Sequence, residues 1–314
     1  MASSSMTTRV MKEDGECRSW AELPSELTLS ILSRLDTIDI LENAQKVCTS
    51  WHRVCKDPAM WRKIVIPRDI GDLVYDLKYV AMCRHAVDRS QGGLVEIDIW
   101  YIGTDSLLNY IADSSSSLRR LRLGVCSSVT TDGIIEALVK LPSLEELEVP
   151  RCRLMVDFLK VVGQSCPNLK TLKLYCEAFM RPRFVYDDFA LAIAETMPGL
   201  QFLQLVGDLL SDIGVSAILD NCPNLEHLDL RLCFNIKFAG DLEKQCSERI
   251  KVLRRPEDSF HDYPYEISFY DTDASEDYYP EDDYFEVPSD HFDYDPYDID
   301  DGPFLDGGFS YMHL

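Results

Sequence analysis

The 314-residue chain has no run of eighteen apolar residues, so no segment is expected to cross a membrane. Met1 to Gly15 is polar, without the apolar centre of a signal peptide, and Ala2 stands where N-myristoylation needs glycine. No cysteine near the C-terminus offers a prenylation site. These absences predict a nuclear or cytoplasmic protein with no membrane partner. The eleven cysteines are an odd number without any Cys-x-x-Cys pair, which predicts reduced thiols and no zinc site. A Gly-rich phosphate loop, a His-Glu-x-x-His motif and a nucleophile elbow are all missing, and the six histidines are scattered. No catalytic residue, metal or cofactor is therefore expected. Residues 256–314 contain no Lys or Arg beside 19 Asp or Glu, so of the net charge of −23 only −4 belongs to residues 1–255. A basic face for nucleic acid is absent as well.

What the chain has is concentrated first in Trp20 to Ile64. Leu27, Ile31 and Leu35 recur at four-residue steps with Leu32 beside them, the apolar stripe of a helix of three turns. Pro24 suits a first helical turn. Asp39 precedes a second pattern of Ile40, Leu41, Ala44, Val47 and Cys48, and Asp57-Pro58 opens a short turn carrying Trp61. Three or four short helices cannot bury this many large apolar groups among themselves. The surplus should face a partner.

Leu23-Pro24-x-x-Leu27, Ile31-Leu32-x-x-Leu35, Asp39-Ile40-Leu41, Val47-Cys48-x-x-Trp51 and Asp57-Pro58-x-x-Trp61 stand in this order. The spacing resembles the F-box, the adaptor-docking segment of substrate receptors in Skp–cullin–F-box ubiquitin ligases. The resemblance implies a Skp-type adaptor as partner and, through it, cullin and RING subunits. It implies that Leu23, Pro24, Leu27, Ile31, Leu32, Leu35, Leu41, Val47, Cys48, Trp51 and Trp61 lie at or behind the adaptor contact. It also implies a non-catalytic receptor, since ubiquitin transfer in this ligase class belongs to other subunits. A scaffold that binds the adaptor without directing degradation is the alternative.

A helix is expected from about Asp72 to Arg89, ended by Gln91-Gly92-Gly93. From Leu94 the pattern Leu-x-x-Leu-x-Leu, with Ile or Val allowed, begins at Leu94, Leu118, Leu144, Leu169, Leu200 and Leu225, and a degenerate copy begins at Ile250. A period near 25 with this motif is a leucine-rich repeat, one strand and one helix per unit. Prolines two residues before the leucines at 144, 169, 200 and 225 stop the helices. Cys126, Cys152, Cys176 and Cys233 recur seven or eight residues after a first leucine, and Cys166 and Cys222 precede prolines. Small buried hydrophobes explain that rhythm better than metal ligands do. The positions resemble the cysteine-containing subclass of leucine-rich repeats, and the whole arrangement resembles plant F-box/leucine-rich-repeat proteins of the Skp-interacting-partner type.

The expected fold class is an α/β solenoid. A disordered leader (1–18) precedes an all-α F-box (19–65) and a helical linker or cap (66–93). A leucine-rich-repeat horseshoe with a parallel sheet (94–255) and a disordered acidic tail (256–314) follow. Residues between the leucines should face outward from the strands. Asp98, Arg122, Glu148 and Lys173 then form a row of alternating sign whose members pair with one another. Trp100, Tyr101, Tyr175 and Phe202, with Arg151 and Arg231, are the expected contacts for an unidentified protein substrate, since Trp, Tyr and Arg anchor interfaces. About six extra residues around Met180–Phe184 predict a surface loop, and the acidic tail offers itself as a cover for Arg120, Arg122 and Lys173.

Overall fold

Short helices form where the apolar spacing places them, and their caps explain their lengths. The computed structural model describes residues 20–68, 77–150, 156–175, 178–179, 184–263 and 269–270. A 3-10 turn at Trp20–Glu22 leads into α1 (Ser25–Leu32), which buries Thr28 and Leu32. The helix is shorter than its stripe suggested, because the Arg34 and Leu35 N–H groups turn back to the carbonyls three residues earlier. α2 (Thr37–Glu42) is capped by Asp36, whose Oδ1 accepts from the Asp39 N–H at 2.9 Å. Asp39 therefore sits in the first turn and not before it. α3 (Thr49–Cys55) starts at Cys48, whose Sγ accepts from the Trp51 N–H. Asp57 accepts from the Ala59 N–H and opens the 3-10 turn Pro58–Trp61, as the Asp-Pro pair predicted.

β1 (Lys63–Ile66) follows directly and is the first strand of the repeat sheet. α4 (Leu77–Arg89) comes next; the turn expected to begin at Asp72 lies outside the described residues. The repeats then run β2 (Glu96–Trp100), α5 (Asp105–Ser114), β3 (Arg120–Gly124), α6 (Thr131–Val139), β4 (Glu146–Pro150), α7 (Val156–Ser165) and β5 (Thr171–Tyr175). They continue as β6 (Ala178–Phe179), α8 (Asp188–Thr196), β7 (Phe202–Val206), α9 (Asp212–Asn221), β8 (His227–Asp229), α10 (Leu242–Arg249) and β9 (Val252–Arg254). The eight described strands of the sheet are parallel, in the order β1-β2-β3-β4-β5-β7-β8-β9. The degenerate copy at Ile250 thus does supply a strand.

Register makes the core. Ile97, Leu121, Leu147, Leu172, Leu203 and Leu228 are successive partners across the sheet and all are buried. No repeat could bury its leucines alone, so neighbours supply the missing walls. Truncating one of these leucines to alanine costs about 2–5 kcal/mol by transfer and cavity terms. The repeats are also stitched by polar groups. The Cys126 thiol donates to the Ile99 carbonyl, Cys166 to Leu141, Cys222 to Met197 and Cys233 to Leu205. Near the helix starts, Asp105 accepts from Thr130, Asp187 from Ser211, and Asp212 from the backbone N–H groups of Lys237, Phe238 and Ala239. The seventh residue after the first leucine turns the chain off the strand with positive φ at Tyr101, Val125, Gly207 and Leu232. Only Gly207 does so without steric cost.

The expectation of an unstructured tail from residue 256 needs correction. Pro256 is buried and its carbonyl accepts from the Leu232 N–H at 3.0 Å. Asp262 pairs with Arg231 and Arg254, and the Tyr263 ring lies 5.8 Å from that of Tyr175. β10 (Phe269–Tyr270) then pairs in parallel with β6. Two arginines of the last repeats draw the acidic segment back over the strand ends. Residues 271–314, like the leader 1–18 and the 180–183 part of the inserted loop, lie outside the described residues.

Candidate functional site

Two surfaces follow from this architecture. The first belongs to the N-terminal helices. Leu27 and Ile31, one turn apart on α1, are 53% and 39% exposed, while Thr28 and Leu32 on the same helix are buried. Leu35 and Val47 are also exposed, at 39% and 59%. Pro24 is exposed, and Leu23, Cys48 and Trp51 are half-buried. α1 and the Trp20 turn both pack on α3, which brings these positions onto one small helical cluster. The Trp51 indole packs against the core, and its Nε1–H is buried without an acceptor among the described residues. Trp20, absent from the expected set, is 66% exposed.

Three of the residues expected at or behind the contact are interior. Leu32 and Trp61 are fully buried and Leu41 nearly so. Trp61 donates its Nε1–H to the Cys55 carbonyl at 2.8 Å and has the Arg89 guanidinium 5.5 Å above its ring. These side chains fix the helices that carry the exposed ones, and they offer no surface themselves.

The second surface is the outer face of the sheet. Its charges are matched across the strands. Arg122 bonds Asp98 and Glu148 at 3.3 and 2.8 Å, and Lys173 bonds Glu146 and Glu148 at 3.1 and 3.2 Å. Glu96 is held by Lys63 and Arg120, and Glu145 by Arg119 and Lys170. Burial acts to raise the Glu96 pKa, yet the hydrogen bonds and charges of Lys63 and Arg120 outweigh it and hold the carboxyl below its ordinary value. Asp98 goes the other way, because burial dominates and raises its pKa despite Arg122. Arg120, Arg122 and Lys173 thus have partners within the sheet, so an acidic cover for them is not needed.

The aromatic positions are less exposed than the alternation suggested. Trp100 is 6% exposed, since its cross-strand partner is Gly124 and the indole fills the space a side chain would take there. Tyr175 is buried together with Val206 and Leu232 beneath Tyr263. Arg231 is buried too, bonded to Asp229, Asp262 and the Ser259 carbonyl. These three are corrected from contact residues to structural ones: Trp100 settles over a glycine of the next strand, and Tyr175 and Arg231 are covered by a segment far along the chain. Tyr101 is half-buried and packs against the core, and Arg151 lies outside the described residues. Phe202 remains accessible, half-buried, and stacks on His227 at 5.4 Å with an interplanar angle of 19°. Gln204, in the same outward row as Asp98, Arg122, Glu148 and Lys173, and Gln201 beside Phe202 carry no signal of their own in the sequence. They are ordinary polar residues whose meaning appears only beside the charged neighbouring strands.

The helices and the repeats also match known proteins. An F-box-like family model covers residues 20–67. The chain is 56% identical over 312 residues to F-box protein SKIP19 of Arabidopsis thaliana, covering 95% of this chain and 100% of that protein. It is 57% identical over 252 residues to putative F-box/LRR-repeat protein 23 of the same plant, with 79% of this chain and 56% of the relative covered. Against putative F-box/LRR-repeat protein 22 of Arabidopsis thaliana the identity is 54% over 270 residues, with 85% and 86% covered. With an F-box-like helical cluster running straight into a cysteine-containing repeat sheet, and relatives 54–57% identical over 79–95% of its length, the chain belongs to the plant F-box/leucine-rich-repeat family.

Proposed function

We propose that this protein is the substrate-recognition subunit of a Skp–cullin–F-box ubiquitin ligase. Its N-terminal helices dock a Skp-type adaptor, and its repeat sheet presents a protein for ubiquitination and degradation. The observation that carries this reading is the exposure of Trp20, Leu27, Ile31, Leu35 and Val47 on a helical cluster whose Leu32, Ile40, Leu41, Met60 and Trp61 are buried. Fully covering one such side chain stabilises a complex by about 1.5–3 kcal/mol. F-box membership and the SKIP-named relatives support an adaptor as the cover.

The work of such a subunit is positional. No bond is made or broken by its side chains; tethering raises the concentration of substrate lysines near the ubiquitin-charged enzyme. β1 suits that role, because the helices and the repeat sheet share it and need no flexible joint between them. Co-expression with a Skp-type adaptor tests the reading. The wild-type chain should co-elute with the adaptor, and the Leu27→Glu/Ile31→Glu variant should elute alone while keeping its thermal midpoint. A variant that still co-elutes would remove the proposed docking face. A substrate partner should accumulate in cells lacking this chain; an unchanged half-life of every protein bound by the repeats would favour a scaffold.

A further inference from the structure

The outer face of the sheet is charged in alternating sign except along one strand. In the row before the strands, Arg119, Glu145 and Lys170 pair on one side and Glu226 and Lys251 on the other. Between them stands Gln201. Three positions further along, Arg122, Glu148 and Lys173 pair on one side and Asp229 is held by Arg231 on the other. Between them stands Gln204. In the intervening row the charges stop at Glu146, and Thr171, Phe202, His227 and Val252 follow as successive partners. All three rows are therefore uncharged at β7. The Gln201 and Gln204 side chains hydrogen-bond nothing among the described residues, while Phe202 and His227 present a stacked pair beside Val252, which is 45% exposed.

Resting on the receptor reading above, we infer that the neutral seam along β7 is the landing site for substrate, and that it takes an extended, uncharged peptide segment with an apolar or aromatic anchor. A charged side chain approaching any other strand must compete with an ion pair already made. On β7 no ion pair is displaced; the Lys173 ammonium lies 5.6 Å from the centroid of the Phe202 ring, and its bonds to Glu146 and Glu148 do not depend on that contact. An anchor side chain would cover the Phe202–His227 stack, and the two glutamine amides can each donate to and accept from peptide groups that an extended segment leaves open. A phosphorylated or acidic segment would need a free cation, and Arg119, Arg122, Lys170, Lys173 and Lys251 on this face each have a carboxylate partner.

The test uses the purified full chain and four pools of short synthetic peptides, measured by fluorescence anisotropy. One pool is neutral with a central Leu, Phe or Trp; the second has Ala in the centre; the third has phosphoserine; the fourth is acidic throughout. Only the first pool should bind, with little change between low and high salt because no ion pair forms. Phe202→Ala and Gln204→Arg should each weaken it at least about tenfold, the loss expected for an interface anchor. Lys251→Ala should leave it unchanged. Gln204→Arg keeps the test sound should Phe202→Ala unfold the strand. Preference for the phosphorylated or acidic pool, binding indifferent to both seam variants, or binding by no pool would overturn the inference. Adaptor co-elution of the same preparation is read separately, so failure at the seam and failure of the docking face are distinguishable.

Discussion

Gly124 carries no side chain, and the Trp100 ring occupies the place where one would be: an added Cβ would lie 2.3 Å from the indole. Gly124→Ala should therefore cost about 1–3 kcal/mol as the ring is pushed outward. Urea denaturation reads that loss, and an unchanged midpoint would show that Trp100 is not held as described. The cysteines make a second prediction. Burial pushes the thiols of Cys83 and Cys126 up to about 12, and those of Cys166, Cys222 and Cys246 up to about 11. At neutral pH these groups stay protonated, buried and slow to alkylate. Among the described cysteines, half-buried Cys48 should be labelled first by a maleimide, and an adaptor seated on α1 and α3 should protect it. Mass spectrometry of the labelled peptides checks both; equal labelling of Cys48 and Cys126 would contradict the burial. Cysteine as a small buried hydrophobe was legible from its rhythm. The burial of Trp100 was not, because it depends on Gly124, which lies a whole repeat later and becomes a neighbour only through strand register.

Among elements, the repeat strands were readable because their leucines recur at a fixed period, and each such period forces the same strand-and-helix unit. β1 was not readable. Its Ile-Val-Ile run is too short for periodicity to separate from a helix end, and only pairing with β2 identifies it. That pairing, with the Thr37 hydroxyl accepting from the Val65 N–H at 3.0 Å, continues the sheet into the docking helices. Arg89 at the end of α4 reinforces the junction by bonding Gln45 at 3.0 Å and lying over Trp61. The helices and the repeats should consequently unfold together. Arg89→Ala should lower the unfolding free energy by about 1–3 kcal/mol, the scale of a lost charged hydrogen bond, and uncouple the two parts in calorimetry. Two separate transitions already present in the wild type would contradict a shared junction. The return of Pro256–Tyr263 escaped sequence reading for a similar reason. Composition marks the segment as acidic, but its binding sites at Arg231 and Arg254 are visible only once β8 and β9 stand side by side.

For the molecule as a whole, the sheet carries matched charges over most of its strands and an uncharged seam along β7, the place proposed above for a substrate. The helical cluster contributes the opposite feature, apolar surface left open. Which of its apolar residues face out was only half legible: Leu27 and Ile31 follow from helical spacing, but Leu32, Leu41 and Trp61 belong to the same motif and face in. A motif records residues needed for a surface and residues needed to hold it without distinguishing them. Isothermal titration calorimetry of the full chain with a purified Skp-type adaptor, repeated at several temperatures, tests the docking claim most directly. Burial of the Leu27–Ile31 face predicts a one-to-one complex with a negative heat-capacity change and at least about a thirtyfold loss of affinity in Ile31→Glu, some 2 kcal/mol. A chain that ignores excess adaptor, or an Ile31→Glu variant that binds with full affinity, would contradict it.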